Sequence, residues 1–308
     1  MLIRTSTTPG VAQRRGTYRL EEEPPNLRGL LFMQNKDASV EVLRYSGETI
    51  PGGPPDIPPE AVTEQGVYIS VDGIGQDWNA HRSQIKDWFH GGADYGVELS
   101  GPVIGVHEGE GKSPLHDGLR ILKNTVLTKA IQSGKFSTAQ IRDRAYKNDP
   151  SVKTIHDQLA QSFKASRQVT LMAHSGGASQ VALALALLVD EGGPSARADV
   201  AEKVRVLGTA PATHRNDLEW AGVKPDNLMI TGSRRDPVYR FYRNHLDPER
   251  PWSALKFLGD GLCGSIGFAL QPGPYHDGFY IFAENQEDGR HKIGEFLLGG
   301  PGADSPLP

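Results

Sequence analysis

The sequence predicts an α/β fold built on a doubly wound, mainly parallel sheet. Short apolar segments recur at Val67–Val71, Val103–Val106, Val169–Met172, Val204–Leu207 and Leu228–Ile230. Each is the length of a strand, and most are rich in β-branched residues. Helical patterns separate them, so successive strands are joined by crossovers that cover both sheet faces. The third observation is a strand-turn-helix junction, Ala173-His174-Ser175-Gly176-Gly177, between Val169–Met172 and the helical run Ala178–Val189.

In chain order, residues 1–60 read as a polar N-terminal extension. Glu21-Glu22-Glu23-Pro24-Pro25 has the composition of a solvated stretch, and Val40–Tyr45 that of an early strand. Pro51–Pro59 forms a Pro/Gly-rich connector. Residues 61–298 form the main domain. Its first strand is followed by a helix expected over Ala80–Trp88. After the Val103–Val106 strand, helices are expected over Leu119–Ile131, Thr138–Tyr146 and Ser151–Phe163. This helical insertion near 113–163 exceeds a simple crossover and is expected over or beside the site. The junction strand, its helix and the strands near 204 and 228 come next, with a further strand over Ala254–Leu258. Residues 299–308 read as a frayed tail.

Composition narrows the function classes. The 308 residues carry 33 basic and 37 acidic side chains, a formal net charge of -4. No basic stripe is present to neutralise phosphates, so nucleic acid is not an expected partner. Cys263 is the single cysteine, which rules out an internal disulfide and suits a reducing compartment. Met1–Arg15 lacks the apolar core of a signal peptide. The longest apolar stretch, Val181–Val189, is too short to span a bilayer. The expectation is a soluble, cytoplasmic protein.

The junction has the small-x-Ser-x-small form of a nucleophile elbow, with Ala173 in place of the usual first glycine. Such a turn lifts a serine hydroxyl above the strand ends, and small neighbours avoid a collision across it. The helix that follows aims its N-terminal amide dipoles at the position where an oxyanion would form. A serine nucleophile needs a base and an acid that orients the base. The chain supplies candidates in the order Ser175, Asp236, His276: the acid in the Leu228–Val238 strand-turn unit, and the histidine in Gly273–Phe279.

On these residues, together with Val71-Asp72-Gly73-Ile74-Gly75, the stretch from about 66 to 298 resembles the α/β-hydrolase superfamily, particularly its serine esterase and lipase-like members. The resemblance implies Ser175 as nucleophile, His276 as general base and Asp236 as orienting acid. It also implies an oxyanion hole from the Gly176 and Ile74 amides. The chain departs from the family pattern at Asp72, where a histidine is usual. A carboxylate there would oppose a developing negative charge unless hydrogen bonds turn it away from the site.

Rival residues remain at each position. Asp217 competes with Asp236 as the acid, and Asp190 should point away from the site. His245, His214 and His291 compete with His276, whereas His174 should point elsewhere around the turn. The segment Gly109-Glu110-Gly111-Lys112-Ser113 ends like a phosphate loop, but Val106 stands where the motif requires glycine. His107 and His116 lack metal-ligand spacing. No cofactor or metal is expected.

The expected substrate is a small-molecule or lipid-like acyl ester. Trp78, Trp88, Phe89 and the apolar residues of 119–131 could line its acyl pocket or equally be core. A non-catalytic binding module on the same fold is the alternative, favoured by Asp72 and opposed by the complete serine, histidine and acid set.

Overall fold

Among the residues described by the computed structural model (17–18, 29–44, 57–73, 76–90, 99, 101–109, 114–232, 293–300 and 305–306), nine strands join one sheet. They are β1 (Thr17–Tyr18), β2 (Leu30–Gln34), β3 (Val40–Arg44), β4 (Val67–Val71), β5 (Val103–His107), β6 (Val169–His174), β7 (Val204–Thr209), β8 (Leu228–Gly232) and β9 (Ser305–Pro306). Their spatial order is β1-β3-β2-β5-β4-β6-β7-β8-β9. From β5 across to β9 every neighbouring pair is parallel, whereas β1, β3 and β2 pair antiparallel and β2 runs antiparallel to β5. The fold is therefore an α/β arrangement on a mostly parallel mixed sheet.

The apolar alternation along the strands sorts their side chains onto two covered faces. Leu31, Ile69, Ile104, Leu171 and Val206 face one core with Ile131, Leu159 and Leu185. The helices on this side are α2 (Pro114–Gln132), α3 (Thr138–Asn148), α4 (Pro150–Lys164), α5 (Gly177–Lys203) and α6 (Arg215–Trp220). Phe32, Tyr68, Met172, Leu207 and Met229 face the opposite core, closed by α1 (Trp78–His90) and a short helix over 293–297. Burial on both faces explains why these strands read as continuous apolar runs. Among the described residues no helix is long and apolar enough to cross a membrane.

The helices expected near 113–163 form, but as a layer packed alongside α5. Pro150 starts α4, and Asp149 caps it by accepting the Ser151 N–H at 3.2 Å. The run after Ser175 extends well past Val189. Helix α5 bends at Gly193 (φ 61°, ψ -145°), beside Pro194, and continues to Lys203. Gly192-Gly193-Pro194 thus makes a kink where the sequence suggested a stop.

The N-terminal region also differs from its reading as a polar extension. Leu30–Gln34 is buried throughout and inserts between β3 and β5. At the other end, Ser305 and Pro306 pair with Thr231 and Gly232 rather than forming only a frayed tail. The Ala254–Leu258 strand lies outside the described residues.

Phe32 packs its ring edge-on to Trp78 with centroids 4.7 Å apart, joining β2 to α1. Phe32→Ala is expected to cost about 3–5 kcal/mol in denaturant unfolding, as for other large buried aromatics. A loss below about 1 kcal/mol would show that residues 30–44 are an appendage to the sheet.

Candidate active site at the β6–α5 turn

Ser175 sits at the place where the sheet changes direction. From β4 the chain crosses to β5 on one side, and β6 returns to pair on the other side. In open α/β sheets the crevice beyond the carboxyl ends of strands at such a switch point is the usual ligand position. The ends of β4 and β6 flank it here, at Asp72-Gly73 and Ser175.

The backbone of Ser175 has φ 48°, in the left-handed region that costs a non-glycine residue roughly 1–2 kcal/mol. Neighbouring hydrogen bonds hold it there. Its N–H donates to Thr209 O at 3.0 Å, and its carbonyl accepts the Ala212 and Ala178 amides at 2.8 and 3.2 Å. The side chain is largely buried. Ser175 is thus a strained residue fixed by its surroundings at a strand-to-helix turn.

Two glycines allow this turn to meet the β4 end. A Cβ on Gly177 would lie 2.3 Å from Asp72 O and 2.8 Å from Val71 O. A Cβ on Gly73 would lie 2.8 Å from His174 Nδ1 and 3.2 Å from Ser175 Cβ. The loop after β4 therefore passes directly beside Ser175. Gln76 secures it: its Oε1 accepts the Gly73 N–H at 3.0 Å, and its own N–H donates to Gly73 O at 3.0 Å. Among the described residues, no backbone carbonyl accepts the Gly176 amide N–H.

The Asp72 carboxylate is turned into the protein. Its Oδ1 accepts the Glu108 N–H at 3.0 Å, while Oδ2 is in close contact with His107 Nδ1 and lies 3.5 Å from His81 Nδ1. All three side chains are fully buried. Burial pushes His81 down to about 4, against the opposing pull of Asp72 and with smaller downward contributions from His107 and His174. Its Nε2 is 3.1 Å from Ser70 Oγ.

A second buried polar group continues under α5. Gln180 Nε2 donates to Glu108 Oε2 at 2.7 Å and to Asp149 Oδ2 at 3.0 Å. Arg120 pairs with Glu108, and Asn124 Nδ2 donates to Asp149 Oδ2 at 2.9 Å. With Glu108 thus engaged in the interior, the loop after β5 does not present that carboxylate to a phosphate. His116 lies by Asp117, at 3.7 Å, while His107 joins Asp72, so the two histidines have different partners.

Asp236, His276 and Ile74, and the rivals His245 and His291, lie outside the described residues. Asp217 is buried on α6, where Lys129 pairs with it and Gln132 Nε2 donates to its Oδ1 at 2.8 Å. It ties α6 to the end of α2. Asp190 accepts the Thr138 hydroxyl on the exposed side of α5. His214 caps α6, its Nδ1 accepting the Asn216 N–H at 3.1 Å.

The suggested acyl pocket is not what α2 and Trp78 form. Trp78 is core, stacked edge-on to Phe32 and to His107 at 5.4 Å. Helix α2 buries Arg120, Asn124 and Thr128, while Leu119 and Val126 are 41 and 52 % exposed. Its inward stripe is polar at Arg120 and Asn124, which meet Glu108, Asp149 and Ser179, and apolar at Ile131. The side chains of Trp88 and Phe89 are outside the described residues.

No protein-family model matches the chain, and no curated protein or solved structure matches it significantly.

At an unconstrained helical glycine, alanine stabilises by up to about 1 kcal/mol. Gly177→Ala is expected to do the opposite, since the added methyl meets backbone carbonyls that cannot swing aside. Chemical denaturation reads the sign, and a stabilised variant would contradict the close approach of α5 to the β4 end.

Proposed function

We propose that the chain is a serine hydrolase of the α/β-hydrolase type that cleaves a carboxylic ester through an acyl-enzyme on Ser175. The observation that carries this reading is the positive φ of Ser175 at a strand-to-helix turn on the sheet's switch point. The inward turn of Asp72 supports it, because the carboxylate is occupied by the Glu108 amide and His107 rather than directed at a developing oxyanion.

In this mechanism Ser175 Oγ attacks the acyl carbon while His276 takes the hydroxyl proton. The Gly176 and Ile74 amides stabilise the oxyanion. Collapse expels the alcohol, which receives the proton from His276, and leaves the acyl group on Ser175. Water then attacks the acyl-enzyme, giving its proton to His276, and release of the acid returns that proton to Ser175. Asp236 holds the His276 imidazole and stabilises its cationic form. Asp217 is disfavoured as the acid by its engagement with Lys129 and Gln132.

The test is turnover of p-nitrophenyl esters of increasing acyl length. Ser175→Ala is expected to lower kcat/KM by at least about 1,000-fold, with His276→Ala comparable because triad members act as a unit. Asp236→Asn is also expected to damage turnover, whereas Asp217→Asn should lower stability with little effect on kcat. Undiminished turnover by Ser175→Ala would refute the mechanism. No turnover of any ester or thioester by the wild-type chain would favour a binding module.

A further inference from the structure

We propose that Asp72, His81 and His107 form a buried site for one divalent transition-metal ion of the zinc class. Three separate elements bring the donors together: Asp72 follows β4, His81 lies on α1, and His107 ends β5. Their side chains are fully buried, and one donor atom from each lies within 4.8 Å of the others. The set follows no short sequence motif, since Asp72 and His107 lie 35 positions apart in the chain.

The distances suit an ion. Metal–nitrogen bonds of about 2.0–2.1 Å in a tetrahedral site place neighbouring ligand atoms about 3.3–3.4 Å apart. His81 Nδ1 is 3.4 Å from His107 Nδ1 and 3.5 Å from Asp72 Oδ2. The Asp72–His107 contact is closer and would open as an ion entered between them. Asp72 Oδ2 is buried, faces both imidazoles and makes no hydrogen bond of good geometry among the described residues. A buried carboxylate oxygen set against two imidazole nitrogens has the donor chemistry of a cation site.

The surroundings orient two of the three ligands, His81 and Asp72. Ser70 Oγ meets the far nitrogen of His81 at 3.1 Å, where a hydrogen bond to the second ring nitrogen fixes a ligating imidazole. The Glu108 N–H fixes the other oxygen of Asp72. Two histidines and one carboxylate leave room in the coordination sphere for a non-protein ligand, as zinc and non-haem iron sites commonly do. An ion here would tie the β4 end to β5 and α1, one residue before Gly73 meets Ser175. The proposal does not depend on the ester-hydrolase reading.

The experiment uses the full chain, stripped with a chelator and titrated with zinc or cobalt(II). Expected are one equivalent bound, a raised Tm, and for cobalt a ligand-field spectrum with paramagnetically shifted resonances from two coordinated imidazoles. His81→Gln should lose this binding, and Ser70→Ala should weaken it about 10–100-fold through the loosened imidazole. If His81→Gln does not fold, Ser70→Ala and the imidazole resonances of the wild-type cobalt protein decide. Absence of stoichiometric uptake, cobalt without two imidazole ligands, or undiminished affinity in folded His81→Gln or Ser70→Ala would overturn the proposal.

Discussion

The first turn of α5 lies on the carbonyls that end β4, and the rest of the candidate site follows from that contact. It requires hydrogen in place of a side chain at Gly177, where a Cβ would sit 2.3 Å from Asp72 O. It also brings the loop after β4 against Ser175, where Gly73 has no room for a methyl. Ser175 takes left-handed backbone angles between β6 and α5, held by Thr209, Ala212 and Ala178. The unfavourable conformation persists because hydrogen bonds to two further segments over-determine it.

Beneath this turn the protein buries an unusual amount of charge. Asp72, Glu108, Asp149 and Arg120 all lie in the interior, where an unpaired charge would cost several kcal/mol after relaxation. Gln180 spans Glu108 and Asp149, and the Glu108 amide reaches Asp72. The result is a polar column joining β4, β5, α2, α5 and the start of α4. Its hydrogen bonds are directional, so it fixes how the helices sit on the sheet in a way apolar packing alone does not.

Much of the sheet was legible in the sequence because its strands are buried on both faces. Val67–Val71 and Val169–Met172 therefore read as apolar runs, and the small residues around Ser175 marked the turn. Leu30–Gln34 was missed because its short apolar run is flanked by a long polar stretch, and the average over that stretch hid it. The inward face of α2 was illegible for a different reason. Arg120, Asn124 and Thr128 have the composition of a solvent-facing stripe, and only the acidic partners contributed by distant segments make them interior. Trp78 shows the converse ambiguity, since an aromatic residue near a site has the same identity whether it lines a pocket or fills the core. The grouping of Asp72 with His81 and His107 depends on which strands become neighbours, which no local spacing encodes.

The central claim is that Ser175 is an activated nucleophile rather than a strained structural turn. Reaction of the full chain with a fluorophosphonate, followed by peptide mapping by mass spectrometry, tests it most directly, because rapid phosphonylation requires an activated serine. The account expects one adduct per chain, on the hydroxyl of Ser175. No adduct, or an adduct confined to another residue, would contradict it.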